Sequence, residues 1–85
     1  MVRILLVDDK AYIREWVREF LPHKLEWQVC GEAADGLQAV EQAASLQPHI
    51  IVLDVSMPEM NGFDAARRIL KASPHILILI LSLNR

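Results

Sequence analysis

A single cysteine, Cys30, cannot close an internal disulfide, so the fold has no covalent staple and a reducing compartment suits it. An excess of one charge is also missing. Nine Lys and Arg against eleven Asp and Glu leave a formal charge of −2, which gives no electrostatic footprint for nucleic acid. Long apolar runs are absent too. The longest, residues 76–81, is strand length and far short of the roughly 18 residues of a membrane span. The apolar start, Val2 to Val7, is too short for a signal-peptide core with its cleavage site. What is present is a chain of 85 residues, 53% hydrophobic and 24% charged. That composition excludes disorder, and the length allows one small domain. The expectation is a cytoplasmic protein without a membrane segment.

Three stretches repeat apolar residues at helical spacing. Ile13, Trp16, Val17, Phe20 and Leu21 share one face, with Arg14, Glu15, Arg18 and Glu19 on the other. Asp9 is the expected N-cap of this helix and Pro22 its stop. Leu37, Val40, Ala43 and Ala44 form a second stripe, capped by Asp35. Phe63, Ala66, Ile69 and Leu70 form a third, starting near Asn61-Gly62 and ending before Pro74. Trp16 and Phe20 are read as core residues of the first helix.

Four stretches read as strands, at residues 3–7, 27–32, 50–53 and 76–81. Three are continuous runs of branched and leucine side chains, the pattern of a parallel sheet buried on both faces. The polar admixture in residues 27–32 marks an edge strand, where Trp27 would cover the sheet edge and Cys30 would be a small apolar strand residue. The order β-α-β-α-β-α-β implies right-handed crossovers and an α/β layered sheet. Pro-His recurs at Pro22-His23, Pro48-His49 and Pro74-His75, spaced by 26 residues. A three-histidine metal site finds no carboxylate or cysteine at matching spacing. The preferred reading is three loops at the N-terminal rim of the sheet, after a helix and before a strand.

Sites in open α/β sheets form beyond the carboxyl ends of the strands, where strand order switches. The residues there are Asp8 and Asp9, Ala33 to Asp35, Asp54 and Ser82. If the first and third strands are neighbours, Asp8, Asp9 and Asp54 converge. Three close carboxylates repel unless a cation neutralises them, and hard oxygen donors suit Mg²⁺. Taken singly, each aspartate is as well explained as a helix cap or a strand end; it is their coincidence that points to a site.

These residues carry a resemblance. Ile4-Leu5-Leu6-Val7-Asp8-Asp9, Ile50-Ile51-Val52-Leu53-Asp54, Met57-Pro58-Glu59-Met60-Asn61-Gly62 and Ile78-Leu79-Ile80-Leu81-Ser82 together resemble the receiver domain of bacterial two-component response regulators. The resemblance runs over essentially the whole chain. It implies a partial flavodoxin-like, doubly wound parallel sheet of strand order 2-1-3-4, with residues 1–85 as the N-terminal part of a receiver domain. It implies that Asp54 accepts a phosphoryl group from a sensor histidine kinase, or from a small acyl or amido phosphate. Asp9, Asp54 and the backbone carbonyl of Ser56 would ligate Mg²⁺, Asp8 would act through a bound water, and Ser82 would be the switch hydroxyl. The 57–62 turn would shape the acceptor loop, with Gly62 supplying backbone freedom and Asn61 standing where the family often has Asp. Ser56 and Asn84 hold positions that tune the lifetime of the phosphorylated state. The implied protein is a regulator with at most slow self-catalysed phosphorylation and dephosphorylation, controlling an output domain that is commonly DNA-binding.

The family's fourth helix, fifth strand, fifth helix and the lysine after that strand have no counterpart among these residues; Lys10, Lys24 and Lys71 do not match it. Phosphoryl transfer is therefore expected to slow by about 10²–10³. The apolar fourth strand is expected as an open edge that favours self-association. A self-association module without signalling is the alternative function. A phosphatase working through an aspartyl phosphate is disfavoured, because Ser56 stands where such enzymes place a second acid.

Overall fold

The computed structural model describes residues 1–21, 26–55, 57 and 62–81. Seven elements alternate along the chain: β1 (Val2–Val7), α1 (Ala11–Phe20), β2 (Trp27–Ala33), α2 (Gly36–Leu46), β3 (Ile50–Asp54), α3 (Gly62–Ala72) and β4 (Leu77–Leu81). The four strands form one parallel sheet in the order β2-β1-β3-β4. This is the expected α/β architecture with the 2-1-3-4 order, and it makes β2 an edge strand. β1 is the switch point: the chain steps to one side of it for β2 and to the other for β3.

Strand alternation sends β1 to two cores. Leu5 and Val7 join Ile51, Leu53, Ala39, Ala43 and Ile69 under α2 and α3. Ile4 and Leu6 join Ile13 and Val17 under α1. All four of these β1 residues are buried, which is why the strand reads as an unbroken apolar run. β2 carries an irregularity: Ile4 pairs with Val29 but Leu5 with Gly31, so Cys30 is the extra residue of a bulge. At Gly31 an added Cβ would lie 2.8 Å from both Gln42 Oε1 and Leu46 Cδ1, so its absence lets α2 close onto β2.

α2 starts as expected. Asp35 Oδ1 accepts the Gln38 amide at 2.8 Å, and Gln38 Oε1 reaches back to the Ala34 amide at 2.9 Å. α1 does not. Its N-cap position is Lys10, with no side-chain cap. Asp8, not Asp9, satisfies a helix-entry amide, accepting from Lys10 N at 2.9 Å. The expected stop, Pro22, and His23 lie outside the described residues. The other two Pro-His pairs lead into β3 and β4, at the rim opposite the acidic residues.

Trp16 and Phe20 correct a second expectation. They are 48% and 71% exposed and pack against each other, with ring centroids 4.5 Å apart and planes tilted by 50°. Among the described residues α1 is the sole helix on its face of a four-stranded sheet. Only Ile13 and Val17 of its stripe are buried against that sheet. Leu77 and Leu79, paired with Ile50 and Val52 on the same face, are exposed as well.

Candidate functional site

Register brings the acidic residues together. Ile4 pairs with Ile50, and the ladder runs on to Val7 with Leu53. One residue further, the same offset sets Asp8 beside Asp54. Asp9 follows in the turn into α1. One carboxylate oxygen from each of Asp8, Asp9 and Asp54 lies within 4.8 Å of the others. Asp8 and Asp54 are 3% and 1% exposed, whereas Asp9 is open to solvent.

Asp8 is held at three points. Its amide donates to Ala33 O at 3.1 Å, its Oδ1 accepts from Lys10 N, and its carbonyl accepts from Arg14 Nη1 at 2.6 Å. Its second carboxylate oxygen, Oδ2, is buried without a hydrogen-bond partner. Burial pushes the Asp8 carboxyl up to about 6; the Lys10 amide opposes this and the neighbouring Asp54 charge adds to it. Partial burial also pushes Asp9 upward, but the hydrogen bond and charge of Lys10 outweigh it and leave Asp9 below the usual carboxylate range. The pair joins Lys10 Nζ and Asp9 Oδ1 at 3.1 Å, and it raises the Lys10 ammonium in turn.

A buried carboxylate oxygen with no donor, beside two more carboxylates, is costly unless a cation is shared among them. Oxygen-only donors of this charge suit a hard divalent ion such as Mg²⁺, which keeps several waters. The residues present therefore fit the ion that the sequence implied, with Asp8 Oδ2 as the atom that most needs it.

Ser56 and Ser82, named from the sequence as metal ligand and switch hydroxyl, lie outside the described residues, as do residues 58–61 and Asn84. Leu81, the residue before Ser82, pairs with Asp54, so the chain leaves β4 level with the acidic cluster. Gly62 is described, and its role differs from the expected one. No glycine among the described residues has positive φ; an added Cβ at Gly62 would instead sit 2.6 Å from Val55 Cα and 2.7 Å from Asp54 O. The glycine lets α3 start against the end of β3.

Two residues escaped the sequence reading. Arg14, assigned to the polar face of α1, turns inward. Its Nε donates to Glu32 Oε1 at 2.7 Å while its Nη1 holds the Asp8 carbonyl. Glu32 also pairs with Arg18, and Arg18 and Arg14 together hold its carboxyl below the usual range. The signal was available: opposite charges one turn into α1 and at the end of β2, two elements that both flank β1.

Comparison with known proteins agrees with this geometry. The family model described as response regulator receiver domain matches residues 4–85. Over 59 residues the chain is 42% identical to a protein-glutamate methylesterase/protein-glutamine glutaminase of Pyrococcus abyssi, covering 69% of this chain and 16% of that protein. The Thermotoga maritima protein of the same description is 39% identical over 60 residues, covering 71% and 17%. Among solved structures, the response regulator domain of Thermotoga maritima CheB superposes with a TM-score of 0.89 at 36% identity, covering 96% of this chain and 60% of that one. A LuxR-family two-component response regulator from Aurantimonas sp. SI85-9A1 gives 0.91 at 32%, covering 100% and 61%. The chain thus spans about a sixth of the curated relatives' length.

Proposed function

Because this chain belongs to the response regulator receiver domain family, we propose that it is a phosphoacceptor signalling domain whose acceptor is Asp54. The observation that carries this reading is the acidic cluster itself: Asp54 ends β3, buried, within reach of Asp8 and Asp9, and Asp8 Oδ2 lacks a partner. Asp9, Asp54 and the Ser56 carbonyl would hold Mg²⁺, with Asp8 acting through water. The ion supplies charge neutralisation between the acceptor carboxylate and the incoming phosphoryl oxygens.

In the transfer, an Asp54 carboxylate oxygen forms a bond to phosphorus. The bond from phosphorus to the imidazole nitrogen of a histidine-kinase phosphohistidine breaks, and its electron pair leaves with that nitrogen. The product is an aspartyl phosphate. Ser82 would then hydrogen-bond the phosphoryl group and bias β4 and its surroundings toward the active arrangement. Residues 1–85 act on this reading as the N-terminal part of a cytoplasmic receiver. The output it switches is a domain outside these residues, DNA-binding or, as in the methylesterases it is similar to, enzymatic.

A specific observation favours self-association in addition. Among the described residues β4 is paired on one side only, and Leu77, Leu79 and Ile80 are exposed on it. We place the contact there, between the fourth strands of two copies.

The test of the main reading is incubation with acetyl phosphate and Mg²⁺ followed by intact-mass measurement. The wild type should gain one phosphoryl group, and Asp54→Asn or added EDTA should prevent it. An Asp54→Asn protein phosphorylated to the wild-type extent would reject the assignment.

A further inference from the structure

Resting on the divalent-cation reading of the acidic cluster, we propose that Arg14 is a positioning residue for that site. Its guanidinium, locked against Glu32, holds the Asp8 main-chain carbonyl and so fixes the turn that presents Asp8 and Asp9 to the ion.

Asp8 lies one residue beyond the last β1–β3 pair, where the ladder no longer dictates its orientation. β2 fixes its amide through Ala33 O. Arg14 fixes its carbonyl at 2.6 Å. The planar guanidinium makes both of its bonds from one rigid fork, Nε to Glu32 and Nη1 to Asp8, so placing Glu32 places the carbonyl. Glu32 is itself anchored, because its own carbonyl accepts from Gln42 Nε2 of α2 at 2.6 Å. A chain of contacts therefore runs from α2 through the end of β2 to the acidic turn, with Arg14 as its last link. The Arg14 side chain is only 16% exposed, so water competes little for these bonds. Arg14 touches the main chain of the turn, so it acts by geometry.

Arg18 supplies the internal control. It pairs with the other oxygen of Glu32, but among the described residues it makes no hydrogen bond to the acidic turn. A role limited to holding α1 on the sheet would be shared by both arginines; a role in positioning the site belongs to Arg14 alone.

The experiment is a Mg²⁺ titration of the full chain, read by tryptophan fluorescence, with thermal melts in EDTA alongside. Arg14→Ala should raise the Mg²⁺ midpoint about tenfold, the range seen when a group orienting a metal ligand is lost. Arg14→Lys should fall between, since an ammonium offers a point charge without the fork. Arg18→Ala should keep the wild-type midpoint even where its melting temperature drops. Acetyl-phosphate labelling of Arg14→Ala should recover as Mg²⁺ is raised. Equal midpoints for Arg14→Ala, Arg18→Ala and wild type would overturn the proposal. Should Arg14→Ala fail to fold, Arg14→Lys decides: a native far-UV spectrum with an unmoved midpoint overturns it equally. A wild type without saturable Mg²⁺ binding, or Asp9→Asn binding as wild type does, would refute the site reading and this inference with it.

Discussion

Replacing Asp8 by Asn should stabilise the metal-free protein near neutral pH while damaging its site. In the fold the Asp8 carboxyl is pushed from 3.8 up to about 6, chiefly by burial. The folded chain therefore keeps a proton that the unfolded chain releases above its ordinary value. The associated stability is fully present below 3.8 and is lost as pH rises through about 6. A carboxyl raised by about two pH units corresponds to a loss of up to about 3 kcal/mol. Asn has no proton to lose, and its Oδ1 can still accept the Lys10 amide that Asp8 accepts now. Groups with lowered values, Asp9 and Glu32, act in the opposite sense: their stability is present above the unfolded carboxylate range and lost on acidification. Both remain in the variant, so the difference between the two proteins reports Asp8 together with its contacts to Asp9 and Asp54. Urea unfolding in EDTA, followed by far-UV circular dichroism at about pH 4.5 and about pH 7.5, should show a gap of about 1.5–3 kcal/mol favouring Asp8→Asn at the higher pH and a smaller one at the lower. Mg²⁺ should narrow the gap by binding the wild type more tightly. A gap that does not change with pH, or a wild type more stable than the variant at the higher pH without metal, would refute the reasoning.

Three further substitutions probe the frame around the site. Gly62→Ala would drive a Cβ to 2.6 Å from the Val55 backbone, so it should cost about 1–3 kcal/mol in urea unfolding and slow acetyl-phosphate labelling by moving Asp54. Asp35→Ala removes the cap on the Gln38 amide and should cost about 1 kcal/mol with labelling unaltered. Leu79→Glu places a charge on the exposed face of β4 and should shift sedimentation at high concentration toward monomer; an unchanged distribution would argue against the β4 contact.

Most of the frame was readable from the sequence because parallel strands buried on both faces and amphipathic helices leave different signatures. The runs Ile4 to Val7 and Ile50 to Leu53 mark the central strands, and the aspartates that end them follow from register. The misreadings share a cause: each depends on what lies across from a residue, which periodicity does not encode. The α1 stripe predicts Trp16 as core, but with α1 the sole helix on that sheet face among the described residues it is half exposed. Asp9 looks like a cap, yet it is the Asp8 carboxylate that accepts a helix-entry amide, that of Lys10, with Asp8 itself pinned to Ala33 of β2. Gly62 reads as a conformational device, whereas its need is space beside Val55. Arg14 sits among charged residues that look solvated, and only the parallel pairing of β2 with β1 brings Glu32 to it.

Calorimetric titration with Mg²⁺ bears on the central claim most directly. One ion per chain should bind the wild type, with affinity much reduced by each of Asp8→Asn, Asp9→Asn and Asp54→Asn, whose carboxylates converge within 4.8 Å. Absence of saturable binding, or affinity indifferent to all three substitutions, would contradict the account.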